Sequence, residues 1–198
     1  MKRKIHRRGM TLIEVIVAAG AASIIIISIL LVYLAATRIA SGAMGQLNVQ
    51  SKARQSLDYI LNDVRRSERA DIYTSYSGTN SFGSGTNDVA GGYAIFQLPT
   101  NGIVAPDQQY HHYYIGNIKS LGNGITNGTL YFFTCAAETN LSTKSADVEL
   151  VRGVTNPDRV FDWINGVMNL NIRIADENDA DGKQIIYLRS SVAFRNQE

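Results

Sequence analysis

Between Arg8 and Arg38 the chain carries a single charged residue, Glu14, and the apolar run around it continues to Ala36. About 20 apolar residues are enough to cross the hydrocarbon core of a bilayer as a helix. A segment apolar on every side has to be surrounded by lipid or by other helices, so this stretch cannot close into an ordinary surface helix. An acid deep inside such a span costs on the order of 3 kcal/mol, which makes an intramembrane carboxylate a functional hypothesis in its own right. Glu14 therefore calls for a compensating cation.

Cutting the chain between Gly9 and Met10 would supply one. The freed α-amino group would lie one helical turn before the carboxylate, and the pair could equally form between neighbouring subunits stacked with a small axial offset. A conventional secretory signal explains these residues less well, because its apolar core is shorter, roughly 7 to 15 residues. A plain single-pass anchor fits the length but gives no reason for Gly9 and Glu14. Lys2, Arg3, Lys4, Arg7 and Arg8 precede the span, whereas only Arg38 and Lys52 come closely after it. The positive-inside tendency then keeps the N-terminus in the cytoplasm and exports the residues beyond Thr37.

The short basic leader, Gly9, the hydrophobic Met10 and Thr11-Leu12-Ile13-Glu14 before an apolar helix resemble the class III leader of type IV pilins and type II secretion pseudopilins. The resemblance implies that a prepilin peptidase cleaves after Gly9 and methylates the new N-terminus at Met10. It also implies that Glu14 serves methylation and assembly. Met10 departs from the phenylalanine more usual at this place in the family. A second stretch, Leu57-Asp58-Tyr59-Ile60-Leu61-Asn62-Asp63-Val64-Arg65, resembles the PilW and J-type minor pseudopilins, as does the closing run Leu188 to Asn196.

With the leader removed, the charge balance changes sign. Five of the 19 Lys and Arg residues lie before Met10, leaving 14 against 17 Asp and Glu. A mildly acidic chain without a basic stripe lacks the electrostatic footprint of a general nucleic-acid binder. Cys135 is the only cysteine, which excludes an intramolecular disulfide and a C-x-x-C site. In Leu130-Tyr131-Phe132-Phe133-Thr134-Cys135 it reads as a small buried hydrophobe.

The expected organisation is a leader at 1–9, a spanning helix at 10–36, an amphipathic continuation at 37–72, a Ser/Gly-rich loop at 73–92 and a β-rich exported domain at 93–198. No proline precedes Pro99, and Gly42 and Gly45 are the soft points of the helix. Ala53, Leu57, Ile60, Leu61 and Val64 recur at helical spacing, a stripe suited to packing on a sheet. Lys52, Arg54, Asp58, Asn62, Asp63, Arg65 and Arg66 read as the solvated side. Strands are expected at 93–98, 110–115, 129–134, 148–152, 168–174 and 185–194, where β-branched and aromatic residues concentrate between turn-forming clusters. Val160 to Ile164 fits either a strand or a short turn. The fold class is α+β: a long N-terminal helix packed on an antiparallel sheet.

Chemical motifs are few in this chain. Asp176 to Gly182 invites a calcium reading, but a loop begun at Glu177 places Leu188 where an EF-hand needs its closing glutamate. An acidic turn is the better reading, with Asp179 and Asp181 the only calcium candidates. His111 and His112 are neighbours that should point to opposite faces of a strand, which suits structure better than one shared metal. No nucleophile elbow, phosphate-cradling loop or dinucleotide fingerprint is present.

The expectation is a non-enzymatic pilin-like subunit without cofactor or small-molecule substrate, held in the bacterial inner membrane by one span and then assembled into a filament. Its implied partners are the prepilin peptidase, other pilins or pseudopilins contacted through the helix, and the inner-membrane assembly platform. A type IV pilus and a type II secretion pseudopilus both fit. The alternative is a membrane-anchored adhesive or substrate-binding protein that uses the loop at 75–92 and the Tyr110 to Tyr114 cluster.

Overall fold

The computed structural model describes residues 11–74, 76, 90–99, 109–122, 125–136, 144–175 and 185–193. Gly9, Met10, Asp179 and Asp181 lie outside them, as do residue 75 and residues 77–89 of the expected loop. Contacts divide the chain into two units, Met1–Leu47 and Asn48–Glu198.

The first unit contributes the opening turns of helix α1, which runs from Leu12 to Arg66. From Leu12 through Leu34 every side chain is exposed, and an 18-residue window reaches a mean hydropathy of 2.9. At 1.5 Å per residue that stretch covers about 35 Å, so α1 is long and apolar enough to cross a membrane once. The two serine hydroxyls of that stretch bond inside the helix: Ser23 Oγ donates to the Ala19 carbonyl and Ser28 Oγ to that of Ile24, both at 2.8 Å. Neither serine hydroxyl is left as an unsatisfied donor on the apolar surface. The helix runs unbroken through Gly42 and Gly45.

In the second unit, α1 turns amphipathic as expected. Ala53, Ile60, Leu61 and Val64 are buried and Leu57 is partly buried against the same cluster. Two polar residues, Ser56 and Asp63, are buried with them. Asp63 thus faces inward, not toward solvent as its charge suggested. The continuation also ends earlier than expected, at Arg66 instead of residue 72. Ser67 closes the last turn with its N–H on the Asp63 carbonyl and its Oγ on the Val64 carbonyl, both at 2.8 Å.

Among the described residues nine antiparallel strands come next: β1 (Arg69–Tyr73), β2 (Ala90–Gly91), β3 (Tyr93–Gln97), β4 (Tyr110–Gly122), β5 (Ile125–Cys135), β6 (Val148–Val154), β7 (Phe161–Ile164), β8 (Val167–Ala175) and β9 (Ile185–Ala193). All six expected strands are present, and residues 161–164 form a strand. The sheet order is β1-β3-β4-β5-β6-β8-β7-β2, with β9 also on β8. The loop expected at 73–92 is shorter at both ends, because Tyr73 closes β1 and Ala90–Gly91 pairs with Phe161–Asp162.

Only Gly92 separates β2 from β3, so one residue carries the chain from one end of the strand order to the strand beside β1 at the other. The crossing demands glycine. A Cβ on Gly91 would stand 1.9 Å from the Tyr73 carbonyl oxygen, and one on Gly92 2.0 Å from that of Pro157. The β7–β8 hairpin turns through Asn165 and Gly166 at φ 52° and 78°, the left-handed pair that a tight type I′ turn requires.

The sheet separates two apolar clusters. Alternate residues such as Phe96, Tyr113, Leu130, Phe132, Leu170 and Ile172 pack with the α1 stripe, which makes the fold α+β with helix on sheet. On the opposite face Tyr93, Ile95, Tyr114, Phe133 and Cys135 gather under Tyr73, Tyr76, Tyr110 and Tyr131. Cys135 is fully buried there, as expected from its sequence surroundings.

Candidate functional site

Glu14 forms half of a reciprocal cap at the start of α1. The Thr11 backbone N–H donates to Glu14 Oε2 at 2.8 Å and the Thr11 hydroxyl reaches the same oxygen at 3.2 Å. In return the Glu14 N–H points at Thr11 Oγ1, 3.4 Å away. This is a capping box, in which a Thr and a Glu three residues apart satisfy each other's orphan N–H groups at a helix start. The sequence expectation gives Glu14 only a cation for a partner, although Thr-x-x-Glu ahead of an apolar run carries the capping signal. Both side-chain bonds fall on Oε2.

A second carboxylate organises the interior. Asp63 Oδ2 accepts the Tyr113 hydroxyl and lies 2.5 Å from His111 Nδ1. Asp63 comes from α1 and the other two from β4, so the network pins helix to sheet. Burial, and then the Asp63 charge, raises the Tyr113 pKa well above the usual phenol value. Tyr113 therefore stays a proton donor across the physiological range.

His112, on the opposite face of β4, sits in a different triad. Tyr93 Oη is 2.8 Å from its Nδ1, and Cys135 Sγ is 2.9 Å from its Nε2. The ring also stacks on Phe133 with centroids 4.5 Å apart. Burial, reinforced by His111 and Lys144, pushes the His112 pKa down to about 3. A neutral imidazole holds one ring proton, so it donates to one neighbour and accepts from the other. A neutral imidazole does not supply the positive charge with which an imidazolium holds a thiol as thiolate in an activated cysteine. Cys135 and His112 thus form a buried structural contact. The two histidines do point to opposite faces, as the strand period requires.

Lys144 closes over the same aromatic face. Its ammonium lies 4.3 Å from the centre of the Phe133 ring and 2.8 Å from Asp147. Among the described residues no cluster of three or more His, Cys, Asp or Glu side chains could hold a metal ion.

A cavity of about 380 Å³ lies elsewhere, between the Thr155–Arg159 turn and the outward faces of β7 and β8. Asn156 builds it. Its side-chain amide donates to the Asn171 carbonyl at 2.6 Å and to that of Arg159 at 3.1 Å, and its Oδ1 accepts the Arg173 N–H at 2.9 Å. The amide thereby replaces strand backbone where β6 leaves β8 and before β7 joins it. Searches against protein-family models, curated proteins and solved structures return no match.

Proposed function

We propose that the chain is a pilin-like filament subunit, made with a basic leader and cut between Gly9 and Met10 by a prepilin peptidase that also methylates Met10. The half of α1 from Leu12 to Leu34 serves first as a membrane anchor and then as a packing surface among the helices of neighbouring subunits. The observation that carries this reading is a helix exposed on all sides, with one carboxylate held at its first turn. Glu14 Oε2 remains on Thr11 while Oε1 receives the α-amine of an adjacent protomer, which neutralises both charges and fixes the axial step between subunits.

The second unit is carried outside the membrane, in line with the excess of basic residues ahead of the span. The PilW-like and J-type resemblances favour a minor subunit at or near a filament tip, in either a type IV pilus or a type II secretion pseudopilus.

Mass spectrometry of the membrane-extracted protein from cells with an active peptidase tests the processing step. The expected product begins at N-methylated Met10, and an intact chain beginning at Met1 refutes the proposal. Gly9→Val should block cleavage. Glu14→Ala should be cleaved normally yet enter filaments poorly, so normal filament yield from that variant would remove the charge-pairing mechanism.

A further inference from the structure

We propose that the cavity beside Asn156 binds a neutral polyhydroxylated ligand, a sugar. Its volume, about 380 Å³, falls within the range of small-molecule sites. The wall is polar and balanced: Asp158 and Asp162 against Arg159 and Arg173, with Thr155 and Asn171 between them. Two guanidinium groups oppose a metal cation, which would also want more than two carboxylates among its oxygen ligands. Two carboxylates equally oppose a phosphate or another anion. A neutral molecule rich in hydroxyls meets no net repulsion, and its O–H groups both donate and accept, as the Thr and Asn side chains do.

Hydrogen-bonding capacity at the site is unused. Asp162 Oδ1 is buried with no hydrogen-bond partner, a state that costs free energy until a donor arrives. The torsion that orients a carboxylate is broad and roughly two-fold, so Asp162 can turn toward a ligand hydroxyl without giving up a bond at Oδ1. Among the described residues the Arg159 guanidinium makes no ion pair, and the Arg173 guanidinium lies over the Tyr187 ring at 5.4 Å, which orients it. Asn156 holds the turn against β8 through bonds to the chain's own backbone, so the wall is built without a ligand. Sugar binding at this cavity does not depend on filament assembly.

The test uses the full chain in micelles of a zwitterionic, sugar-free detergent. Saturation-transfer NMR is recorded with glucose, galactose, mannose and N-acetylglucosamine at millimolar concentration. At least one of them should receive saturation, and Asp162→Asn should weaken its binding about tenfold while leaving the melting temperature unchanged or raised. Should Asp162→Asn melt lower, the exposed Arg159→Gln takes its place and must weaken binding at an unchanged melting temperature. Silence across the four sugars overturns the proposal, as does full affinity in the variant used. Calcium, inorganic phosphate and glycine serve as charged probes; a rise in melting temperature with any of them that Asp162→Asn abolishes also overturns it.

Discussion

Replacing Asp63 with leucine removes the one carboxylate that joins α1 to the sheet among the described residues, and the structure sets the size of the effect. Tyr113 is fully buried, so its hydroxyl would lose its acceptor with no route to water, at a cost of about 1–3 kcal/mol. The His111 contact is also lost. Since His111 keeps some exposure and can turn toward solvent, that loss is smaller, about 1 kcal/mol. Together Asp63→Leu should destabilise the fold by about 2–4 kcal/mol.

The double-mutant cycle is the sharper measurement. Tyr113→Phe removes the donor that Asp63→Leu strands, so the double variant should be more stable than the sum of the singles by about 1–2 kcal/mol. Urea unfolding of the full chain in detergent, followed by circular dichroism, gives all four free energies. Additivity to within about 0.5 kcal/mol would refute the argument, because the two side chains would then not be acting as one unit.

The remaining predictions concern pH and backbone. His112, with its pKa near 3 in the folded protein and an ordinary value once unfolded, takes up a proton only on unfolding as the pH drops below about 6.5. Stability that is whole above that pH should therefore fall by up to about 2 kcal/mol by pH 5. His112→Gln should lose that much less between pH 7 and pH 5 in the same unfolding assay, and matching slopes would contradict the assignment. Gly92→Ala should cost about 3 kcal/mol or more, because its Cβ meets the Pro157 carbonyl and endangers two backbone bonds, Gly92 N–H to Thr74 and Ile115 N–H to Gly92, both 3.1 Å. Gly42→Ala, with nothing within 4 Å of the added atom, should instead be neutral or stabilising by up to about 1 kcal/mol. Thermal melts of the two variants decide between close approach and mere flexibility as the reason for the glycines.

Local chemistry makes much of this architecture readable. Runs such as Tyr93–Gln97 and Thr129–Thr134 are dense in aromatic and β-branched residues, and the α1 stripe repeats at helical spacing. The hidden parts depend on partners distant in the chain. Arg69–Tyr73 is short and charged and becomes a strand because Tyr93–Gln97 lies beside it. Ala90–Gly91 looks like loop composition and is extended only through its register with Phe161–Asp162. Asp63 sits among charged neighbours, and its inward turn is dictated by His111 and Tyr113, 48 and 50 residues away. The Asn165-Gly166 turn, by contrast, is carried by a dipeptide well suited to hairpins, although the expected organisation did not include it. The cavity cannot be read from the sequence at all, since it needs one turn and two strands brought together by the Asn156 side chain.

The one-residue link at Gly92 bears on how this protein reaches its native state. Strands on either side of that glycine stand far apart in the strand order, so β2 pairs only once β7 is present, while β3 lies between β1 before it in the chain and β4 after it. Such long-range dependence slows the search, because loop closure has to be met before the contacts reward it. It also leaves little for a half-formed structure to rest on. Unfolding of the Asn48–Glu198 unit should accordingly be a single cooperative event, without a stable remnant of either flank.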